Sequence, residues 1–268
     1  MSNENEVIKD LGAELYDRHH AHTHDVEFIL SVIGSEPKKV LEACCGSGRI
    51  LIPIAKAGHD VIGFDMDDEM MSRISKKAEG LKNASWRKAD ALLDDWGNGF
   101  DVVILAGNIL FNIEIETGMP YKKAQELFIQ KAADSLVPGG HVFIEYSPFA
   151  PNGRTLTRRG PSCDDDGRIV WSWDGTDDDG NYEKSSCTAG AFDEETGILR
   201  FTAYFEQRLA SGKVIKEETE RVKHYATLEQ IHGWLSSAGF DIEFEYENFD
   251  KKPISDDSCA VIIYARKK

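Results

Sequence analysis

The sequence predicts an α/β protein with a doubly wound, mostly parallel seven-stranded sheet and an antiparallel β insertion after the fifth strand. Three observations carry that prediction. Between Val40 and Tyr146, short apolar runs alternate with segments whose apolar residues recur at helical spacing, and strands that alternate with helices pair in parallel through right-handed crossovers. A glycine-bearing turn, Cys44-Cys45-Gly46-Ser47-Gly48, joins the first strand to the helix after it. From Ser147 to Ala226 the helical period disappears and alternating, hairpin-like runs replace it.

Taken in order, Val7, Ile8, Leu11 and Leu15 predict a first helix, and Val26, Phe28, Ile29 and Ile33 a second. A strand follows from Lys39 to Ala43, then the turn, then a helix from about Arg49 to Ala57 closed by Gly58. The second strand runs from His59 to Phe64 and ends on Asp65. Next come a helix from Glu69 to Glu79, strands at Ser85 to Ala89 and Phe100 to Leu105, and a helix from Lys122 to Leu136. The turn Val137-Pro138-Gly139-Gly140 leads into the fifth strand, His141 to Tyr146.

The insertion carries strand-like runs at Arg168 to Trp173, Ile198 to Leu209 and Lys213 to Val222, the last two joined by the turn Ala210-Ser211-Gly212. Thr227 then caps a helix that ends at Gly239, and strands Phe240 to Tyr246 and Ala260 to Ala265 form a closing hairpin. Residues 1–146 and 227–268 therefore read as one cofactor-binding domain, and 147–226 as a β-rich insertion covering its site.

Composition narrows the function. The 268 residues carry a net charge of -16, which argues against a nucleic-acid partner, because phosphate backbones demand clustered cations. Neither a signal peptide nor an apolar run of membrane-spanning length is visible, so a cytoplasmic protein without a membrane partner is expected. The five cysteines read as free thiols, and their spacing offers no chelating set, so no metal site is expected. The histidines between His19 and His24 do not share a helical face with a carboxylate. The acidic run Asp174 to Gly180 fails the calcium-loop pattern and reads as a solvated turn.

The turn after the first strand lacks the glycines that a dinucleotide fingerprint needs at Cys44 and Leu51. Its actual pattern, Glu42-Ala43-Cys44-Cys45-Gly46-Ser47-Gly48 with Asp65 at the end of the next strand, instead resembles the first motif of class I S-adenosylmethionine-dependent methyltransferases. That resemblance implies a Rossmann-like methyltransferase fold, S-adenosyl-L-methionine as cofactor and S-adenosyl-L-homocysteine as product.

It also implies a role for each matching residue. Glu42, Ala43, Cys44, Gly46 and Gly48 would hold the methionyl part, Asp65 the ribose with Met66 against the adenine, and Asp90 with Ala91 the adenine amino group. Ala106-Gly107-Asn108 after the fourth strand is similar to a segment of glycine N-methyltransferases and their small-molecule relatives. Asn108 would face the methyl group there, and Tyr16 would belong to a lid that includes the segment His19 to His24. Where that group places an arginine, this chain reads Ile144-Glu145-Tyr146-Ser147.

Glu145 and Tyr146 are therefore candidates to bind an amine or hydroxyl, with Glu145 a base if burial raises its pKa. Phe111 and Arg154 complete the expected acceptor site, Arg154 as a clamp for a carboxylate or phosphate. The resulting expectation is a small-molecule methyltransferase acting on nitrogen rather than oxygen, possible as a homodimer. A protein methyltransferase and a non-catalytic cofactor-binding regulator are the alternatives.

Overall fold

A computed structural model describes residues 4–19, 23–113, 115, 118–148 and 153–268. It begins with helices α1 (Glu4–His19) and α2 (His24–Ile33). There follow β1 (Lys39–Ala43), α3 (Leu51–Lys56), β2 (Asp60–Asp65), α4 (Asp68–Ser72), α5 (Ile74–Lys77), β3 (Ala84–Lys88) and β4 (Phe100–Leu105). Then come α6 (Ile109–Asn112), α7 (Tyr121–Ser135), β5 (Leu136–Tyr146), β6 (Ile169–Thr176), β7 (Tyr182–Thr188), β8 (Ala191–Asp193), β9 (Ile198–Arg208) and β10 (Val214–His224). Helix α8 (Leu228–Ser237), β11 (Phe240–Tyr246) and β12 (Val261–Lys267) close the chain.

Seven strands form the expected sheet, in the order β11-β12-β5-β4-β1-β2-β3. Strands β1 to β5 are parallel neighbours, and β12 lies antiparallel between β5 and β11. The chain winds outward from β1 to β3 and then returns to the other side of β1 to lay down β4. Winding thus reverses between β1 and β4, and ligands of open α/β sheets collect at the carboxyl ends of the strands flanking such a reversal.

Val40 and Leu41 of β1 are wholly buried because both sheet faces are covered. On one face Phe28 of α2 packs against Phe143, Phe244 and Phe249. On the other, Trp96 bridges Phe64 and Phe128, with ring centroids 5.2 and 4.9 Å apart. Lys267 of the last strand donates to the Ala133 and Leu136 carbonyls (2.5 and 2.8 Å), capping the end of α7.

The tightest approach lies under the first turn. A Cβ on Gly63 would sit 2.4 Å from Leu51 Cδ1 and 2.7 Å from Cys45 Sγ, so only hydrogen fits where β2 passes the turn. Gly63→Ala is expected to cost about 1–3 kcal/mol, the usual penalty of overpacking a core. A thermal melt within a degree of wild type would remove Gly63 from the features that set this geometry.

Two expectations about this sheet need correction. The helix expected from Glu69 to Glu79 is two short helices meeting at Arg73, the first capped by Asp67, whose carboxylate accepts from Glu69 N and Met70 N (2.9 and 3.0 Å). The fifth strand starts earlier than His141, because Leu136 already pairs with Phe100 before the ladder shifts register.

The expected domain boundary also moves. Residues 1–21, 151–153 and 160–225 form one compact unit, and 22–150, 154–159 and 226–268 the other. Helix α1 belongs with the inserted strands because Leu11 and Leu15 bury themselves against Leu209 and Trp173. Segment 154–159 stays with the seven-stranded sheet, since Leu156 N donates to Ser258 O (2.8 Å) and Leu156 O accepts from Leu228 N (2.7 Å).

The inserted unit holds a second, antiparallel sheet in the order β10-β9-β7-β6, with β8 paired to β9. Its long hairpin runs in register from Val214 opposite Arg208 to His224 opposite Ile198. Of the acidic run, Asp174 to Thr176 belong to β6 and only the remainder is a turn, in which Asp177 accepts from the amides of Asp179 and Asn181 (3.0 and 2.8 Å). Among the described residues no helix is long and apolar enough to cross a membrane.

Candidate cofactor site

The turn leaving β1 is shaped by three left-handed residues, Cys44 (φ 57°), Gly46 (50°) and Gly48 (75°). Cys44 occupies a conformation that an L side chain resists. Around it the backbone is well anchored. Cys45 N donates to Phe64 O (2.9 Å), Gly48 N to Cys45 O (2.9 Å), and Lys77 Nζ to Ser47 O (2.9 Å). Cys45 itself is buried beneath Gly63, filling space rather than reacting, and burial pushes both thiols well above the ordinary range.

Two carboxylates border this turn. Asp65 ends β2 with Oδ2 accepting from Gly46 N (2.7 Å) and Oδ1 from Asp67 N (2.9 Å). Each oxygen retains a second lone pair, so a diol can bind without displacing either amide. Glu42, one residue inside the end of β1, is 5 % exposed, and its Oε2 has no hydrogen-bond partner among the described residues.

The cation that acts on it, Arg49, is held by Asp25 through Nη1–Oδ1 and Nη2–Oδ2 contacts of 2.9 and 2.5 Å. Burial therefore dominates at Glu42 and raises its carboxyl pKa to about 8, against the weaker opposite pull of Arg49. An acid in that setting is satisfied by a ligand that brings its own positive charge.

Asp90 follows β3. Its Oδ1 caps the next turn by accepting from Leu92 N (2.7 Å) and Leu93 N (3.1 Å), a local role that these bonds perform with one oxygen. Ala91 beside it is buried. Met66, after β2, is 42 % exposed, and Leu93, after β3, is 64 % exposed, so the loops after these adjacent strands both present apolar surface. Leu93 was not among the expected site residues. An apolar residue three positions after a turn-capping aspartate is the signal that could have pointed to it.

At the carboxyl end of β4, next to β1, Gly107 (φ 66°) and Asn108 (φ 59°) are consecutive left-handed residues. Gly107 N donates to Glu145 Oε2 (2.9 Å), Asn108 Nδ2 donates to Ser147 O (2.8 Å), and Ser147 N donates to Asn108 Oδ1 (3.0 Å). The amide expected to face a methyl group thus pairs in both directions with backbone, and the expected base accepts from backbone.

Three further expectations change. Tyr146 is fully buried, and its hydroxyl accepts from Ala226 N at 2.8 Å. Phe111 is buried with its ring edge toward Tyr146, centroids 6.5 Å apart. Both are core residues, because the end of β5 is roofed by α6 and by the chain returning at Ala226. Arg154, expected as a clamp for a carboxylate or phosphate, is 1 % exposed, since segment 154–159 is stitched to residues 256 to 258 and to Leu228. Tyr16 lies on α1 in the inserted unit, and residues 20–22 of the expected lid lie outside those described.

With this geometry in place, residues 40–140 match the family model described as methyltransferase domain. Over those residues the chain is similar to that family. Its seven-stranded sheet has the fold of solved S-adenosylmethionine-dependent methyltransferases. A solved S-adenosylmethionine-dependent methyltransferase from Clostridium acetobutylicum superposes with a TM-score of 0.69 at 14% identity, covering 95% of this chain and 97% of that one. The sugar N-methyltransferase KedS8 from Streptoalloteichus superposes with a TM-score of 0.67 at 16% identity, covering 95% and 92%.

By sequence, this chain is similar to the ubiquinone biosynthesis O-methyltransferase of Acinetobacter baumannii strain AYE, 31% identical over 116 residues. That match takes in 41% of this chain and 44% of that protein, so the chain spans under half the length of the curated relative.

Proposed function

We propose that the chain is an S-adenosylmethionine-dependent methyltransferase with a small-molecule acceptor, methylating nitrogen in preference to oxygen. The observation that carries the reading is the buried Glu42 carboxylate, without a hydrogen-bond partner at Oε2 beside the left-handed turn. Its acid matches the ammonium of a methionyl group, and Asp65 and Asp90, at the ends of the next two strands, match a ribose and an adenine. The net charge of -16 favours a neutral or cationic acceptor over a nucleic acid. The likeness to a sugar N-methyltransferase supports nitrogen. The relative named as a ubiquinone O-methyltransferase supports oxygen as the second reading.

When bound, the cofactor supplies a methyl group on a sulfonium, whose departure needs no acid. This chain's residues therefore have to bind and orient. Glu42 would hold the charged amino end, Gly46 and Gly48 would let the backbone pass close beneath, Asp65 would accept from both ribose hydroxyls, and Met66 and Leu93 would offer apolar surface to the base. Isothermal titration with S-adenosylhomocysteine is expected to give a micromolar or tighter Kd. S-adenosylmethionine consumption with matched panels of amines and hydroxy compounds then assigns the acceptor. Absence of binding at millimolar ligand sinks the cofactor reading, and turnover of hydroxy compounds alone reassigns the acceptor atom.

A further inference from the structure

We infer that Glu145 and Asn108 are positioning residues: together they clamp the end of β4 to the end of β5, and Glu145 acts there as a hydrogen-bond acceptor and not as a base. The inference rests on the methyltransferase reading for its functional meaning, while the clamp itself rests on geometry. Gly107 adopts the left-handed region freely, but Asn108 does so only at a cost, so the turn needs support from outside its own backbone. Here three side-chain-to-backbone hydrogen bonds of 2.8 to 3.0 Å hold them, all between the same two strand ends.

The clamped turn stands where winding reverses, beside the end of β1 with its own strained residue, Cys44. Gly107 is exposed, and no atom of the described residues lies within 4 Å of where its Cβ would be. The turn is fixed by the side chains of Glu145 and Asn108 and exposed at Gly107. That is the form expected of a wall against which a bound group is aligned, since a shift of one strand end relative to the other would move the wall. The Asn108 side chain uses its donor on Ser147 O and its acceptor on Ser147 N, which is the work of a brace.

The role requires an acceptor oxygen at residue 145, which glutamine also provides, whereas a base requires a titrating carboxylate. The test compares Glu145→Gln, Glu145→Ala and Asn108→Gly for S-adenosylhomocysteine affinity and for hydrogen exchange at the Gly107 and Ser147 amides. Glu145→Gln is expected to keep Kd within about twofold and to keep Gly107 protected. Glu145→Ala is expected to weaken binding about tenfold and to speed Gly107 exchange by at least about tenfold, as the loss of one supporting hydrogen bond predicts.

Asn108→Gly leaves the backbone conformation unstrained and removes only the side-chain bonds. It is expected to deprotect Ser147 and so reports on the clamp even if Glu145→Ala fails to fold. Unchanged exchange in both Glu145→Ala and Asn108→Gly overturns the clamp. A Glu145→Gln protein as impaired as Glu145→Ala overturns the acceptor role in favour of the charge. If wild type does not bind S-adenosylhomocysteine, the cofactor reading falls, and the exchange comparison still decides the clamp.

Discussion

Glu42→Gln is expected to make the protein more stable and the cofactor site much weaker. Glu42 is an acid whose pKa in the folded protein, about 8, lies above its ordinary 4.5. Between those values the folded chain holds a proton that the unfolded chain releases, so stability falls as pH rises across that window. Glutamine fills the same volume without titrating. The variant should gain on the order of a few kcal/mol at pH 8 and nothing at pH 4, the slope expected for one strongly shifted group.

Binding moves the other way. Loss of a charge-assisted bond to the methionyl ammonium should cost about 1.5–3 kcal/mol, or roughly ten- to a hundredfold in Kd. Ionising Glu42 on binding also releases a proton near neutral pH, so the titration heat of wild type should depend on the buffer's ionisation enthalpy and that of the variant should not. Chemical denaturation across pH and titration in two buffers check both halves. A variant that is less stable at pH 8 and binds normally would separate Glu42 from the site.

The second large effect is expected at Asp65. Both of its oxygens accept from backbone amides, Gly46 N and Asp67 N. Asp65→Asn necessarily turns an NH2 group toward one of them, setting donor against donor. The turn then loses an anchor and the ribose loses a charged acceptor, a combined cost of about 2–4 kcal/mol from one broken charged hydrogen bond and one unsatisfied amide. S-adenosylhomocysteine affinity should fall by about thirty- to a thousandfold. Adenine alone, which has no ribose, should bind the variant nearly as it binds wild type. Equal losses for both ligands would mean that the turn had collapsed and that Asp65 acts only as its support.

The cofactor half of the molecule was legible in the chain because its determinants are local. Gly46 and Gly48 mark a turn that only glycines adopt cheaply, Asp65 closes a strand whose register the apolar pattern fixes, and Thr227 announces a helix through its own side chain. The acceptor half was not legible. Whether Asn108 faces a ligand or Ser147, and whether Tyr146 lines a pocket or the core, depends on which strand end lies beside it, and that neighbour is distant in sequence.

Strand β7 was invisible for a related reason. Glu183 sits buried in it, hydrogen-bonded by Gln207 at 2.8 Å, so the alternation of apolar and polar residues is broken where α1 covers the sheet. Helix α1 was correctly expected as a helix, but nothing in its apolar stripe says which sheet that stripe will meet.

The hydrogen bond from Ala226 N to the Tyr146 hydroxyl joins the end of β5 to the chain where it returns to the seven-stranded sheet. The seven-stranded sheet is thus sealed at the point of departure, and it holds the two ends of the inserted stretch within one side chain's reach. Lengthening or exchanging what lies between costs the parent sheet little, because loop-closure entropy grows only slowly with length. A seam of this kind gives descent a place to graft new material. The family match, over residues 40–140, ends just short of that seam.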